Sequence, residues 1–183
     1  CALPILSVDV ERAERSDAAG AHGDAVNHLA AGARKGDVEA LTRLGKRLLV
    51  GDRAPSLPKD AIGLIGDASK RGGAEAAALL SVLHAVGVGR SSDVRAGFES
   101  LVVAAERGWR PAQAQLEVLA AGLAGDAERA PAGAVDWRSV AQGVGLGAWL
   151  SGPPANDVSA SPLVRSFPAF ASPRMCRWFI ERA

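Results

Sequence analysis

The sequence predicts an all-α solenoid: a right-handed stack of antiparallel helix pairs, about three repeats long, followed by a linker and a short C-terminal helix. Three observations carry that expectation. Glycines recur at Gly36, Gly72 and Gly108, a step of 36 residues. The same step carries Ala40 to Ala76 to Ala112, Leu44 to Leu80 to Leu116, Leu29 to Ile65 to Leu101, and Lys35 to Arg71 to Arg107. Finally, 48% of residues are hydrophobic but only 4% are aromatic, and tyrosine is absent. The core is therefore built from Ala, Leu, Val and Ile, and wholesale disorder is excluded.

The segment from Ala40 to Gly72 shows one repeat in full. Ala40, Leu41, Leu44, Leu48 and Leu49 make the apolar stripe of a first helix. Gly51 supplies its C-terminal stop, because glycine enters the left-handed region without steric cost. Pro55 and Pro58 are expected to hold the next stretch out of a helix. A second helix carries Ala61, Ile62, Leu64, Ile65 and Ala68, ends in the cations Lys70 and Arg71, and closes at Gly72 and Gly73. The following repeat runs through Ala76, Leu79, Leu80, Leu83 and His84 to stops at Gly87 and Gly89. Ser92 or Asp93 caps its second helix, which carries Phe98, Leu101, Val102 and Ala105. A third first-helix opens near Pro111 and continues through Ala112, Leu116 and Leu119. Upstream, the stretch from Asp24 to Gly36 reads as the second helix of an incomplete unit. Small residues at Ala40, Ala76 and Ala112, and at Ala68 and Ala104, mark where helices approach closely.

The run from Ala40 to Gly51 resembles the first helix of the Sel-one-like repeat family, relatives of the tetratricopeptide repeats. Ala76 through Leu80 to Gly87-Val88-Gly89 is similar to it as well, and Ala104-Ala105-Glu106-Arg107-Gly108 is similar to that family's second-helix ending. The resemblance spans roughly Asp24 to Gly122. It departs where the family has tyrosine and this chain has Leu48, His84 and Ala120, and at Gly122, one residue short of the period. The resemblance implies a scaffold that binds other proteins.

The organisation expected is an N-terminal segment (1–23), a repeat domain (24–143), a linker (144–165) and a tail (166–183). Asp136 to Gly143 reads as a short closing helix with Trp137 over the end of the stack, as terminal repeats need. In the tail, Ser172 caps a helix opening at Pro173, with Met175, Trp178, Phe179 and Ala183 on one face. Phe167, Pro168, Phe170, Ser172, Cys176 and Ile180 resemble the opening of a prolyl 4-hydroxylase-like dioxygenase domain, in which a strand and turn lead into a helix. That resemblance implies a parent enzyme using Fe(II) and 2-oxoglutarate, with its catalytic strands beyond Ala183. The alternative is a helix that folds back on the solenoid.

Catalytic chemistry within the chain is not expected. His22-Gly23-Asp24 has the His-x-Asp spacing of an iron site, with His84 as a distant third ligand. Such a triad converges from barrel strands, whereas these residues read as helical. His84 reads as a satisfied interior histidine, His28 as a surface or groove residue and Cys176 as buried. Three separate histidines offer no nucleophile and base pair, and Gly87-Val88-Gly89 lacks the strand and third glycine of a dinucleotide turn. No cofactor is expected in this chain.

With 21 basic and 20 acidic residues there is no electrostatic footprint for nucleic acid. The weakly charged run from Ala76 to Gly89 is too short for a membrane span. Two cysteines, Cys1 and Cys176, suggest reduced thiols and a cytoplasmic setting, with lipid anchoring through Cys1 as the alternative. The partner expected is a protein or peptide in the concave groove lined by first helices. Thr42, Arg43, Lys46, Arg47, Gln113 and Gln115 are the groove candidates, and a merely solvated helix face is the competing account of the same residues.

Overall fold

The computed structural model describes residues 7–122, 135–168 and 170–181. The chain divides between Trp109 and Arg110 into two compact units. The first holds three helix pairs: α1 (Val8–Ala18) with α2 (His22–Arg34), α3 (Val38–Val50) with α4 (Pro58–Lys70), and α5 (Ala74–Val86) with α6 (Val94–Glu106). α2 also packs on α3, and α4 on α5, so each pair leans on the next. This is the helix-pair solenoid that the period predicts.

The 36-residue step is written into the backbone. The Gly36, Gly72 and Gly108 amides donate to the Ala33, Ser69 and Ala105 carbonyls at 2.9, 2.9 and 3.0 Å. The next amides, of Asp37, Gly73 and Trp109, donate to the Gly32, Ala68 and Ala104 carbonyls at 3.1, 3.0 and 3.0 Å. Each glycine has φ between 80° and 101°, where an L side chain is strained. The first helices stop alike: the Gly51 and Gly87 amides donate to the Arg47 and Leu83 carbonyls, with φ of 74° and 82°.

Two overlapping core clusters link successive pairs from α1 to α5. Val10, Ala13, Ala25, Leu29, Leu44, Leu48 and Ala61 join α1 to α4 in one cluster. Leu41, Ile65, Ala68, Ala76 and Leu83 join α3 to α5 in the next, and Leu49 and Leu64 pack against both. Ile65 and Leu116 are fully buried, whereas Leu80 is only half-buried. Ala40, Ala76 and Ala112 are buried as expected.

Several local expectations are corrected. The N-terminal segment contains α1, which completes the unit that the sequence leaves half-formed. Its stripe is only Val10 and Ala13 on an otherwise charged helix, so the periodic signal is faint. Pro58 does not hold the chain out of a helix but starts α4, its fixed φ suiting the first turn. Between the two capping candidates, Asp93 accepts from the Ala96 amide at 2.9 Å, while Ser92 Oγ donates to the Ala85 carbonyl at 2.6 Å.

The second unit begins with α7 (Arg110–Ala121), against which α8 (Trp137–Gln142) packs. α9 (Leu146–Ser151) follows. Then β1 (Asn156–Ala160) pairs antiparallel with β2 (Leu163–Ser166), and α10 (Pro173–Ile180) packs on α7. The stretch read as a linker thus carries a short helix and a hairpin. Asn156-Asp157-Val158-Ser159-Ala160 shows no clean alternation, and β2 is exposed throughout, so no buried face announces either strand. Ser172 caps α10 as expected, accepting from the Met175 amide at 3.2 Å. Cys176 is exposed rather than buried, because α10 turns Met175 and Trp178 inward instead. The Gly125 to Gly133 stretch, Cys1 and Ala183 lie outside the described residues.

Candidate functional site

The exposed side of α1 and α3 encloses an open pocket of about 380 Å³. Its wall on α1 is Ala13, Glu14 and Asp17; its floor is Leu29 of α2; its wall on α3 is Arg43, Lys46, Arg47 and Val50, with Asp52 just beyond the helix. Three of the six sequence-derived candidates meet here. The volume lies within the range of sites that hold a small ligand or a short stretch of peptide.

The three cations are not free. Arg43 Nη1 lies 2.6 Å from Glu14 Oε1, and its Nε donates to Glu39 one turn earlier on α3. Arg47 Nη2 donates to Asp17, which His22 Nδ1 also meets at 3.0 Å. Lys46 Nζ lies 2.7 Å from Glu75 of α5. The pairs to Glu14, Asp17 and Glu75 join first helices of successive repeats, across 29 or 30 residues of sequence. Burial alone would raise the Asp17 carboxyl, but the hydrogen bonds and charges of Arg47 and His22 outweigh it and hold Asp17 below the usual carboxylate range. Burial likewise works against the Arg43 charge, and Glu14 and Glu39 overcome it, raising the pKa.

The other candidates fall elsewhere. Thr42 is buried, and its hydroxyl donates to the Val38 carbonyl at 2.7 Å, so it offers nothing to a partner. Gln113 and Gln115 belong to α7 in the second unit. Gln115 lines a separate cavity of about 180 Å³ with Val118, Leu119, Trp149, Met175, Trp178 and Phe179. Around it, Trp149 Nε1 donates to the Leu119 carbonyl at 3.0 Å, and Arg174 Nη2 lies 3.1 Å from Glu117. The residues that sequence reasoning missed are the carboxylates Glu14, Asp17 and Asp52. Glu14 and Asp17 lie 29 and 30 residues before Arg43 and Arg47, on the neighbouring first helix.

His22 faces Asp17, and His84 Nδ1 lies 3.3 Å from the Ser100 hydroxyl, half-buried between α5 and α6. Among the described residues no three His, Cys, Asp or Glu side chains converge as a metal set. No described helix is long and apolar enough to cross a membrane.

No family model matches the chain, and no curated protein matches it. Among solved structures it is similar to the Sel1 repeat protein from Oxalobacter formigenes, with 21% identity and a TM-score of 0.51. The match covers 56% of this chain and 42% of that one, so this chain spans less than half of the solved relative. A likeness at that identity speaks for the fold alone: an all-α array of packed helix pairs.

Proposed function

We propose that the chain is a protein-interaction scaffold, non-catalytic as given, which receives a segment of another protein on the exposed side of its first helices. The observation that carries this reading is the pocket between α1 and α3, which has an apolar floor, a charged rim and an open mouth. Repeat solenoids use such surfaces for partners.

The test uses the full chain on an array of unrelated peptides. Val50 is 73% exposed on the pocket wall, so Val50→Trp fills the space without disturbing the core. The array pattern should be lost in Val50→Trp and kept in Lys70→Ala, a change on exposed α4 surface. An array pattern indifferent to Val50→Trp overturns the reading.

The alternative, a recruiting or dimerising region ahead of a 2-oxoglutarate/Fe(II) dioxygenase domain, draws on the tail alone. There β2, a turn and the Ser172-capped α10 follow in the order that resemblance implies. The comparisons lend it no support. Reading the coding sequence past Ala183 tests it directly.

A further inference from the structure

On α3 the pocket wall is made by Arg43, Lys46, Arg47 and Val50. One step of 36 residues on, α5 carries Leu79, Val82, Leu83 and Val86 at the same places. A second step reaches Gln115, Val118 and Leu119 on α7. This face of the first helices is therefore charged on α3, where its cations are paired within the chain, and uncharged on α5 and α7.

On α7 the uncharged face has an occupant. α10 packs on α7, and its Met175, Trp178 and Phe179 line one cavity with Gln115, Val118 and Leu119. Those three α10 side chains recur at i, i+3 and i+4, one face of a helix, and Arg174 beside them meets Glu117 of α7 at 3.1 Å. α10 is thus an amphipathic helix laid on the face of a first helix, a recurring mode by which helical segments are recognised. On α5 the equivalent face stays open to solvent. Val82 and Val86, one turn apart, are 60% and 68% exposed, with Leu79 half-buried one turn before them.

We propose that the α5 face of Leu79, Val82 and Val86 takes an amphipathic helix from a partner protein, seated by bulky apolar side chains at i, i+3 and i+4 as α10 is seated on α7. This rests on the scaffold reading and names the element of the partner that is received. Apolar shape rather than charge makes the selection: none of the four α5 positions is charged, and Glu75, at the start of the helix, is already held by Lys46 at 2.7 Å.

A synthetic peptide with the sequence of residues 172–181 and Cys176→Ser is titrated into the full isotope-labelled chain. It should shift the amide resonances of Leu79, Val82 and Val86 saturably. A peptide that also carries Trp178→Ala and Phe179→Ala should leave them unmoved. In the chain, Val82→Glu with Val86→Glu should weaken binding at least about tenfold, because each puts a charge where an apolar side chain would land. The melting temperature of that variant should stay near that of the parent, since both valines are exposed. The proposal is overturned if the α5 amides are unmoved at millimolar peptide, if the alanine peptide shifts them as strongly, or if the glutamate variant binds as tightly as the parent. It is also overturned if those amides shift with chain concentration before peptide is added and cease to do so in the variant, since the occupant is then a second copy of this chain. Each of these results leaves the scaffold reading standing. That reading falls separately, to an array indifferent to Val50→Trp.

Discussion

The repeats α3–α4 and α5–α6 share a backbone and differ in how side chains satisfy it. In both, the second helix is entered through one long-range bond: the Leu57 amide donates to the Leu48 carbonyl, and the Asp93 amide to the His84 carbonyl, each at 2.8 Å. At the helix crossing the small residues trade places. The first repeat sets Gly45 against Ala61, where a Cβ on Gly45 would lie 3.2 Å from the Ala61 carbonyl. The second sets Ser81 against Gly97, where a Cβ on Gly97 would lie 2.8 Å from the Ser81 carbonyl. The left-handed position beyond the first helix is Gly89 in one repeat and Arg53 in the other, at φ of 67° and 52°. The residue without a side chain at the crossing is thus on the first helix in one repeat and on the second helix in the other.

The largest expected effect lies where both repeats share a residue. Ile65 is fully buried in the cluster that joins α3, α4 and α5, so Ile65→Ala should cost about 2–5 kcal/mol in denaturant unfolding. Leu80→Ala should cost less than Leu44→Ala, because Leu80 is only half-buried. Next comes the crossing itself. Gly97→Ala should cost about 1–3 kcal/mol by overpacking against the Ser81 backbone. Adding Ser81→Gly should recover little of that loss, because the atoms in the way are the Ser81 carbonyl and the Ala85 backbone and Cβ, which that change leaves in place. Recovery of most of the loss in the double variant would show that the Ser81 side chain sets the crossing.

The ties between first helices rank third. Asp17→Asn should cost about 1.5–3 kcal/mol at neutral pH, the scale of a hydrogen bond to a charged group. Because the folded Asp17 carboxyl titrates below its unfolded value, its contribution is complete above the ordinary carboxylate range and fades as pH falls through the folded value. Between about pH 5 and pH 2 the parent should therefore lose more stability than Asp17→Asn does. Equal slopes in the two proteins would mean that Arg47 and His22 do not favour the charged form. The smallest effect is at Arg53. Arg53→Gly should gain about 0.5 kcal/mol, the relief of a left-handed side chain less the entropy that glycine adds to the unfolded chain.

What could be read from the sequence follows the same division. The step was legible because left-handed closures demand glycine, and Gly36, Gly72 and Gly108 cannot be exchanged cheaply. The stripe was legible where Leu and Ala dominate it, and lost in α1, whose only buried apolar anchors are Val10 and Ala13. The hairpin was lost because its strands bury no face, so nothing distinguishes Val158 or Val164 from linker residues. At the site, Arg43, Lys46 and Arg47 were visible as a cationic ridge on one helix. Their neutralising acids were not, because Glu14, Asp17 and Glu75 lie a repeat away and become neighbours only when first helices stack. Thr42 was misplaced for a simpler reason: its hydroxyl is satisfied within its own helix, which spacing alone does not reveal.

Stacked pairs that share one core should also open together. Native-state hydrogen exchange on the full chain reads this at the Asp37, Gly73 and Trp109 amides, which close successive repeats in the same way. With Ile65→Ala, protection should fall at all three by a similar free energy. A fall at Gly73 alone, with Asp37 and Trp109 unchanged, would contradict a core continuous through the array.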